Sequence, residues 1–200
     1  MRFAGNLNVD LNDITMNLVP FPDLHFLITS LSPLYGLLDV QLPPRRLQQM
    51  FSDAFRSDFQ LCRADPVRSR YLGCGLLVRG RVEISDVTEN MERIRPRLDF
   101  AEWNPDPFKL GLCAVPPVGQ QHAMLTLANN CCFEGIFTNI LSRYGRLAER
   151  QLYMHHYDAY MERSGFAEAA EAVTALRDRY AELQRPSGPA AAAERLAPIV

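Results

Sequence analysis

Tyr71-Leu72-Gly73-Cys74-Gly75-Leu76-Leu77-Val78 is a nearly continuous apolar run of strand length. It lacks the polar alternation of a strand with one face in water, so it reads as a strand covered on both faces. Gly73 and Gly75 lie inside the run, where glycine permits close packing rather than cradling a phosphate. Just upstream, Leu47, Met50, Phe51, Ala54 and Phe55 step i, i+3, i+4, i+7, i+8 and predict an amphipathic helix over Arg45–Phe55. Downstream, Ser85 with Asp86 and Glu89 predicts a second helix, a cap followed by acids at the positive dipole end. Val87, Met91 and Ile94 form its apolar side, and Pro96 stops it.

Toward the N-terminus, Asp10 caps a helix running to Leu18, with Leu11, Ile14 and Leu18 on one face. Val19-Pro20-Phe21-Pro22 ends it, because proline disfavours helix at the residue before it and lacks a donor. Leu24–Ile28 reads as a short buried strand, and Ser30–Pro44 as a loop with unusually many leucines. Toward the C-terminus, Phe108–Val115 and Ala123–Ala128 read as two strands joined through Pro116-Pro117-Val118-Gly119. Two long helices follow, one with the stripe Phe133, Ile136, Phe137, Ile140, Leu141, Tyr144, Leu147 and one with Phe166, Ala170, Val173, Leu176, Tyr180, Leu183. The order αβαβαββ and then two helices predicts an α/β fold, a sheet with helices against it in two layers and then a helical pair.

At 200 residues, with hydrophobic side chains at 48% and charged ones at 22%, the chain falls in the ordinary globular range. A formal net charge of −2 excludes an overall basic nucleic-acid binder and an acidic solvating chain. No stretch approaches the roughly 18 consecutive apolar residues of a membrane span. Met1–Asn6 turns polar at once and is not read as a secretion signal. Cys62, Cys74, Cys113, Cys131 and Cys132 make an odd count with no C-x-x-C pair, the usage of reduced, mostly buried thiols.

Self-contained catalytic patterns are missing: there is no G-x-x-x-x-G-K-[ST], G-x-G-x-x-G or G-x-S-x-G. His155-His156 is the single local cluster of metal-type ligands, and neighbouring side chains on a helix diverge by about 100°. No metal site is therefore expected. Asp13 stands in the first turn of the first helix, where the dipole favours an acid that reaches back to the backbone N–H of Asp10.

Several stretches resemble one family. Arg2-Phe3-x-Gly5-x-Leu7-Asn8-Val9-Asp10-Leu11 and Asn17-Leu18-Val19-Pro20-Phe21-Pro22-x-Leu24-His25-Phe26 look like the opening of the C-terminal half of a tubulin. Asp65-Pro66, Tyr71-Leu72, Arg79-Gly80, Trp103-Asn104-Pro105, Lys109, Cys113, Pro116-Pro117 and His156-Tyr157 follow in the same order. Within the family the likeness is to the epsilon class, through Pro43–Leu47, Gln49–Phe55, Arg63–Pro66, Val115–Gly119 and Leu127–Cys131.

The resemblance implies a two-layer sandwich of a mixed sheet with helices over residues 2–132, a C-terminal helical hairpin over 133–184 and a disordered tail over 185–200. It implies partners too: other tubulin subunits, longitudinally through the helix of Asp13 and laterally through the 30–44 loop, with delta-tubulin and centriolar proteins in addition. No nucleic acid and no membrane is among them. Asp13 aligns with the glutamate that in alpha-type subunits helps to activate hydrolysis of the next subunit's nucleotide, and it is one methylene shorter.

GTP is the implied cofactor, bound by a glycine-rich half not contained in these residues, so the sequence reads as the C-terminal half of an epsilon-type tubulin. The implied setting is the cytoplasm and cytoskeleton, at centrioles and basal bodies. Two features depart from the pattern: the Asp158–Phe166 link lacks the family's glycine–acid–glycine stretch, and the tail is rich in alanine and proline. The alternative reading is a stand-alone binding module that caps or modulates tubulin assembly. A third, an independent enzyme using a cysteine or histidine, lacks any convergent acid–base set.

Overall fold

Tyr71–Gly80 forms the inner strand β2 of a four-stranded mixed sheet whose order is β1-β4-β2-β3. Phe108–Cys113 (β3) pairs with β2 in parallel, Cys74 opposite Phe108 and Arg79 opposite Cys113. His122–Asn130 (β4) pairs with it antiparallel on the other side, Leu76 opposite Thr126. Ile28–Ser32 (β1) closes the far edge antiparallel to β4, Ile28 opposite Ala128. Among the described residues five α-helices accompany the strands: α1 (Leu11–Leu18), α2 (Leu47–Ala54), α3 (Ile84–Ile94), α4 (Phe133–Glu149) and α5 (Ser164–Gln184). The structure, a computed structural model, describes residues 7, 9–34 and 45–185. Its contacts separate a unit ending at Asn130 from a unit beginning at Cys131.

The parity of β2 explains the apolar run. Cys74, Leu76 and Val78 point to one face and join Met50, Phe51 and Ala54 of α2 and Val87 and Ile94 of α3 in the core. Gly73 and Gly75 point to the other, where α1 lies. A Cβ on Gly73 would stand 3.0 Å from the carbonyl oxygen of Asn17 and 3.3 Å from Cα of Leu18; one on Gly75 would stand 3.2 Å from Leu18 Cδ2. Helix therefore covers β2 on both faces, and α1 comes so close that a Cβ at either glycine would force its neighbours to shift by a few tenths of an ångström. A register shift between Tyr71 and Gly73 turns Tyr71 back to the α2–α3 side. There it continues an aromatic series, Phe55 to Tyr71 at 6.3 Å, Tyr71 to Phe100 at 5.4 Å and Phe100 to Phe108 at 5.0 Å between ring centroids.

Several boundaries differ from the sequence reading: β2 runs on to Gly80, β4 spans His122–Asn130 rather than Ala123–Ala128, and α2 spans Leu47–Ala54 rather than Arg45–Phe55. The first strand is not Leu24–Ile28 but Ile28–Ser32, partly inside the segment read as a loop. Its inward residues include Ser30 and Ser32, 1% and 0% exposed, and Ser30 Oγ donates to the carbonyl of Ala54 at 2.6 Å. Two buried serines hide a strand from any hydropathy pattern. Residues 35–44 of that segment and the tail from 186 lie outside the described residues. The third helix begins two residues earlier than expected, with Glu83 rather than Ser85 as its N-cap residue. β3 stops at Cys113, short of Val115, and Arg79 Nε donates to the Val115 carbonyl in the turn beyond it.

In the second unit the start of α4 meets the end of α5: the rings of Phe133, Phe137 and Tyr180 form a triangle with centroids 5.8–6.0 Å apart. At the other end Tyr144 Oη donates to the carbonyl of Phe166 at 2.9 Å. Such crossed contacts make the pair antiparallel, a helical hairpin. Ile140 and Leu147, members of the sequence stripe, remain about half exposed.

Cys74 shows what burial does to a thiol. It is 0% exposed, and desolvation pushes its pKa far up, so it stays protonated and unreactive at neutral pH. Alkylation with iodoacetamide at pH 8, read by peptide mass spectrometry, is expected to label the half-buried Cys62 in the native protein and to reach Cys74 only after denaturation. Equal native rates at the two would show that the sheet opens far more often than its packing implies.

Candidate functional site

Asp13 sits in the first turn of α1, an eight-residue helix entered from Asp10 in an extended conformation, φ −90° and ψ 167°. The backbone N–H of Asp10 donates to Asp13 Oδ2 at 3.1 Å, and the Asp10 side chain accepts from the N–H of Asp13, the reciprocal arrangement of a capping box. The acid thus reaches back as its position predicts, which leaves Oδ1 as the oxygen of Asp13 outside the cap. Along the same helix Thr15 Oγ1 donates to Leu11 O at 3.0 Å and Asn17 Nδ2 to Asp13 O at 2.6 Å. Leu11 and Met16 are each 81% exposed, against 1% for Leu18. The helix thus carries a half-buried acid and two exposed apolar side chains, and places its last residue in the core.

The other groups singled out in the sequence do not gather around Asp13. His155 and His156 end a single 3-10 turn, Met154–His156, well along the chain. Their rings do not diverge as on an α-helix: the centroids are 3.9 Å apart. Both are exposed, and among the described residues no group of three or more His, Cys, Asp or Glu is placed to hold a metal ion. Beside them Arg163 holds Asp158 through hydrogen bonds of 3.1 and 2.9 Å, which lowers the carboxyl's pKa. The guanidinium hydrogen bond is the chief cause, and in water such a pair adds little to stability. A cavity of about 280 Å³ opens beyond the ends of β2 and β3, lined by Gly80, Arg81, Val82, Glu83, Leu112, Cys113 and Ala114; Asp13 is not on its wall.

Two residues matter here that the sequence reading passed over. Asn129 and Asn130 end β4 fully buried and point to opposite faces. Asn129 Nδ2 donates to the carbonyls of Leu18 at 2.8 Å and Leu24 at 2.6 Å, while Asn130 Nδ2 donates to those of Pro66 at 3.0 Å and Ser69 at 3.2 Å. A polar pair closing an apolar strand was the available signal.

The geometry defines an α/β domain: a mixed sheet with α1 on one side of β2 and α2 and α3 on the other, the last strand leading into a helical hairpin. A family model described as the tubulin C-terminal domain matches residues 22–142. The chain belongs to the tubulin family. It is 53% identical over 184 residues to the tubulin epsilon chain of Homo sapiens, covering 91% of this chain and 39% of that one. The corresponding values for the tubulin epsilon chain of Mus musculus are 53% over 185 residues, 91% and 39%. For the tubulin beta-2 chain of Suillus bovinus they are 33% over 187 residues, 92% and 42%. The chain thus spans about two fifths of the length of the relatives it matches.

Proposed function

We propose that this chain supplies the C-terminal half of an epsilon-type tubulin, a structural subunit of microtubules that acts in forming the microtubules of centrioles and basal bodies. The observation that carries the reading is the 53% identity to two epsilon chains over 91% of this chain, against 33% to a beta chain. Nucleotide chemistry, with GTP as the ligand, belongs in this reading to the part of those relatives that the present residues do not cover. The contribution of these residues is contact with other tubulin subunits, longitudinally through α1 and laterally through the 30–44 segment, with delta-tubulin and centriolar proteins as further partners. The cytoskeleton, at the centriole and basal body, is the place of action.

In this arrangement Asp13 faces the nucleotide of a neighbouring subunit and orients the attacking water. The cap bond from Asp10 holds one carboxylate oxygen and leaves the other outside the cap. Positioning of this kind is worth factors of about 10²–10⁴ in rate.

Two measurements test the proposal. An antibody to Tyr144–Gln184 is expected to detect an endogenous protein of more than twice the 22.7 kDa of this sequence, concentrated at basal bodies. A band at 22.7 kDa alone would favour the stand-alone capping module instead. In the endogenous-length protein co-assembled with tubulin dimers and GTP, Asp13→Ala is expected to slow phosphate release at least about tenfold without preventing assembly. An unchanged rate would remove Asp13 from the hydrolytic role.

A further inference from the structure

We infer that Asn129 is the positioning residue of α1 and, through it, of Asp13; the inference rests on the reading of α1 as the element presented to a neighbouring subunit. The end of α1 has a backbone deficit. Leu18 is the last residue of α1 and 1% exposed, so its carbonyl has left water and needs a donor. In a continuing helix that donor would be the N–H four residues on, at Pro22, which has none. Pro20 removes another N–H from the same stretch. The donor has to come from elsewhere in the fold, and it is the side-chain amide of Asn129.

The same amide nitrogen also donates to Leu24, whose residue is 2% exposed. One buried side chain thereby joins both ends of the turn, 19–23, by which the chain leaves α1. Gly73 and Gly75 complete the attachment by letting Asn17 and Leu18 lie directly on β2. All of these contacts hold the C-terminal end of the helix. At the other end Leu11 is 81% exposed and Asp13 half-buried, while the chain entering the helix is held by Leu7, whose backbone pairs with Leu112 at 3.0 and 3.3 Å, and by Val9, 4% exposed.

The helix is therefore held at its C-terminal end through Asn129 and at its entry through the Leu7–Leu112 pair, with its eight residues, about 12 Å, between the two. With the C-terminal hold released, a tilt of about 10° would displace residues of the helix by up to about 2 Å. Displacements of that size are enough to uncouple a water-positioning group from its target. Asn130 makes the control: it has the same chemistry and burial but ties the Pro66–Ser69 segment instead.

Native-state hydrogen exchange read by mass spectrometry tests the inference. In Asn129→Ala, amides of α1 and the turn to Leu24 are expected to exchange about 10- to 100-fold faster, while those of β2, β3 and α3 keep their rates. Asn130→Ala is expected to leave α1 unchanged. Gly73→Ala, which pushes on the same helix without removing a hydrogen bond, is expected to repeat the α1 pattern and serves if Asn129→Ala does not fold. Loss spread evenly over the sheet, or no change in α1, would overturn the inference.

The second readout is phosphate release in the endogenous-length protein co-assembled with tubulin dimers and GTP. Asn129→Ala is expected to slow it as much as Asp13→Ala does. Release that responds to Asp13 but not to Asn129 would refute positioning. Release that responds to neither, with the local exchange pattern present, would leave the clamp standing and reject the nucleotide role of α1.

Discussion

Replacing Phe51 with alanine is expected to lower the unfolding free energy by about 3–5 kcal/mol, the usual cost of emptying a phenylalanine site in a core. Phe51 is 0% exposed and belongs to the stripe by which α2 enters the core cluster with Cys74, Leu76 and Met124 of the sheet. The site has little freedom to collapse. Its neighbours on α2, Met50 and Ala54, are themselves 1% and 0% exposed, and the floor is strand backbone already paired on both sides. A loss of this size should lower the thermal midpoint by roughly 10 °C for a chain of this length. Circular dichroism melting of the two forms measures it. Val118→Ala, at a fully exposed position, is the matched control and should shift the midpoint by no more than about 1–2 °C. If the two shifts were similar, α2 would not be seated on the sheet as described.

Gly80→Ala is the second large effect, expected at about 3 kcal/mol or more. The residue has φ of +127°, a conformation L-residues rarely adopt. Crowding adds to the strain: a Cβ there would lie 2.5 Å from the carbonyl oxygen of Gln121 and 2.5 Å from Nδ1 of His122, on the strand paired with it. Backbone on that side cannot step away without opening the β2–β4 ladder. Gly119 separates the two causes, because its φ of +77° is also positive while nothing stands within 4 Å of its would-be Cβ. Gly119→Ala should therefore cost about 1 kcal/mol, the strain alone. Urea denaturation of both variants tests the difference; equal losses would show that crowding at Gly80 contributes nothing.

Much of this fold was legible in the chain because helices and the central strand announce themselves through burial of their own side chains. The α2 stripe from Leu47 to Phe55 and the run from Tyr71 to Val78 both end where apolar contact ends, and the order of elements follows the expected one. The first strand was misplaced for the opposite reason. Ser30 is buried with its hydroxyl donating at 2.6 Å to the carbonyl of Ala54 at the end of α2, a partner 24 residues away that no local pattern contains. The capping role of Asp13 was visible, since donor and acceptor lie three residues apart. Asn129 was not, since its carbonyl partners lie 105 and 111 residues away.

The division follows the range of the interactions. Helix periodicity, capping and proline stops are written into neighbouring residues, because each answers to backbone geometry within a turn or two. Family membership is written there as well. Which carbonyls a buried amide would satisfy, which face of β2 would receive α1 and which serines would turn inward were settled only when distant segments met. Once the sheet excludes water, every stranded backbone group must find a donor in three dimensions. Asn129 beneath Leu18, answering a carbonyl that Pro22 had left without a donor, is the plainest instance of that rule in this protein.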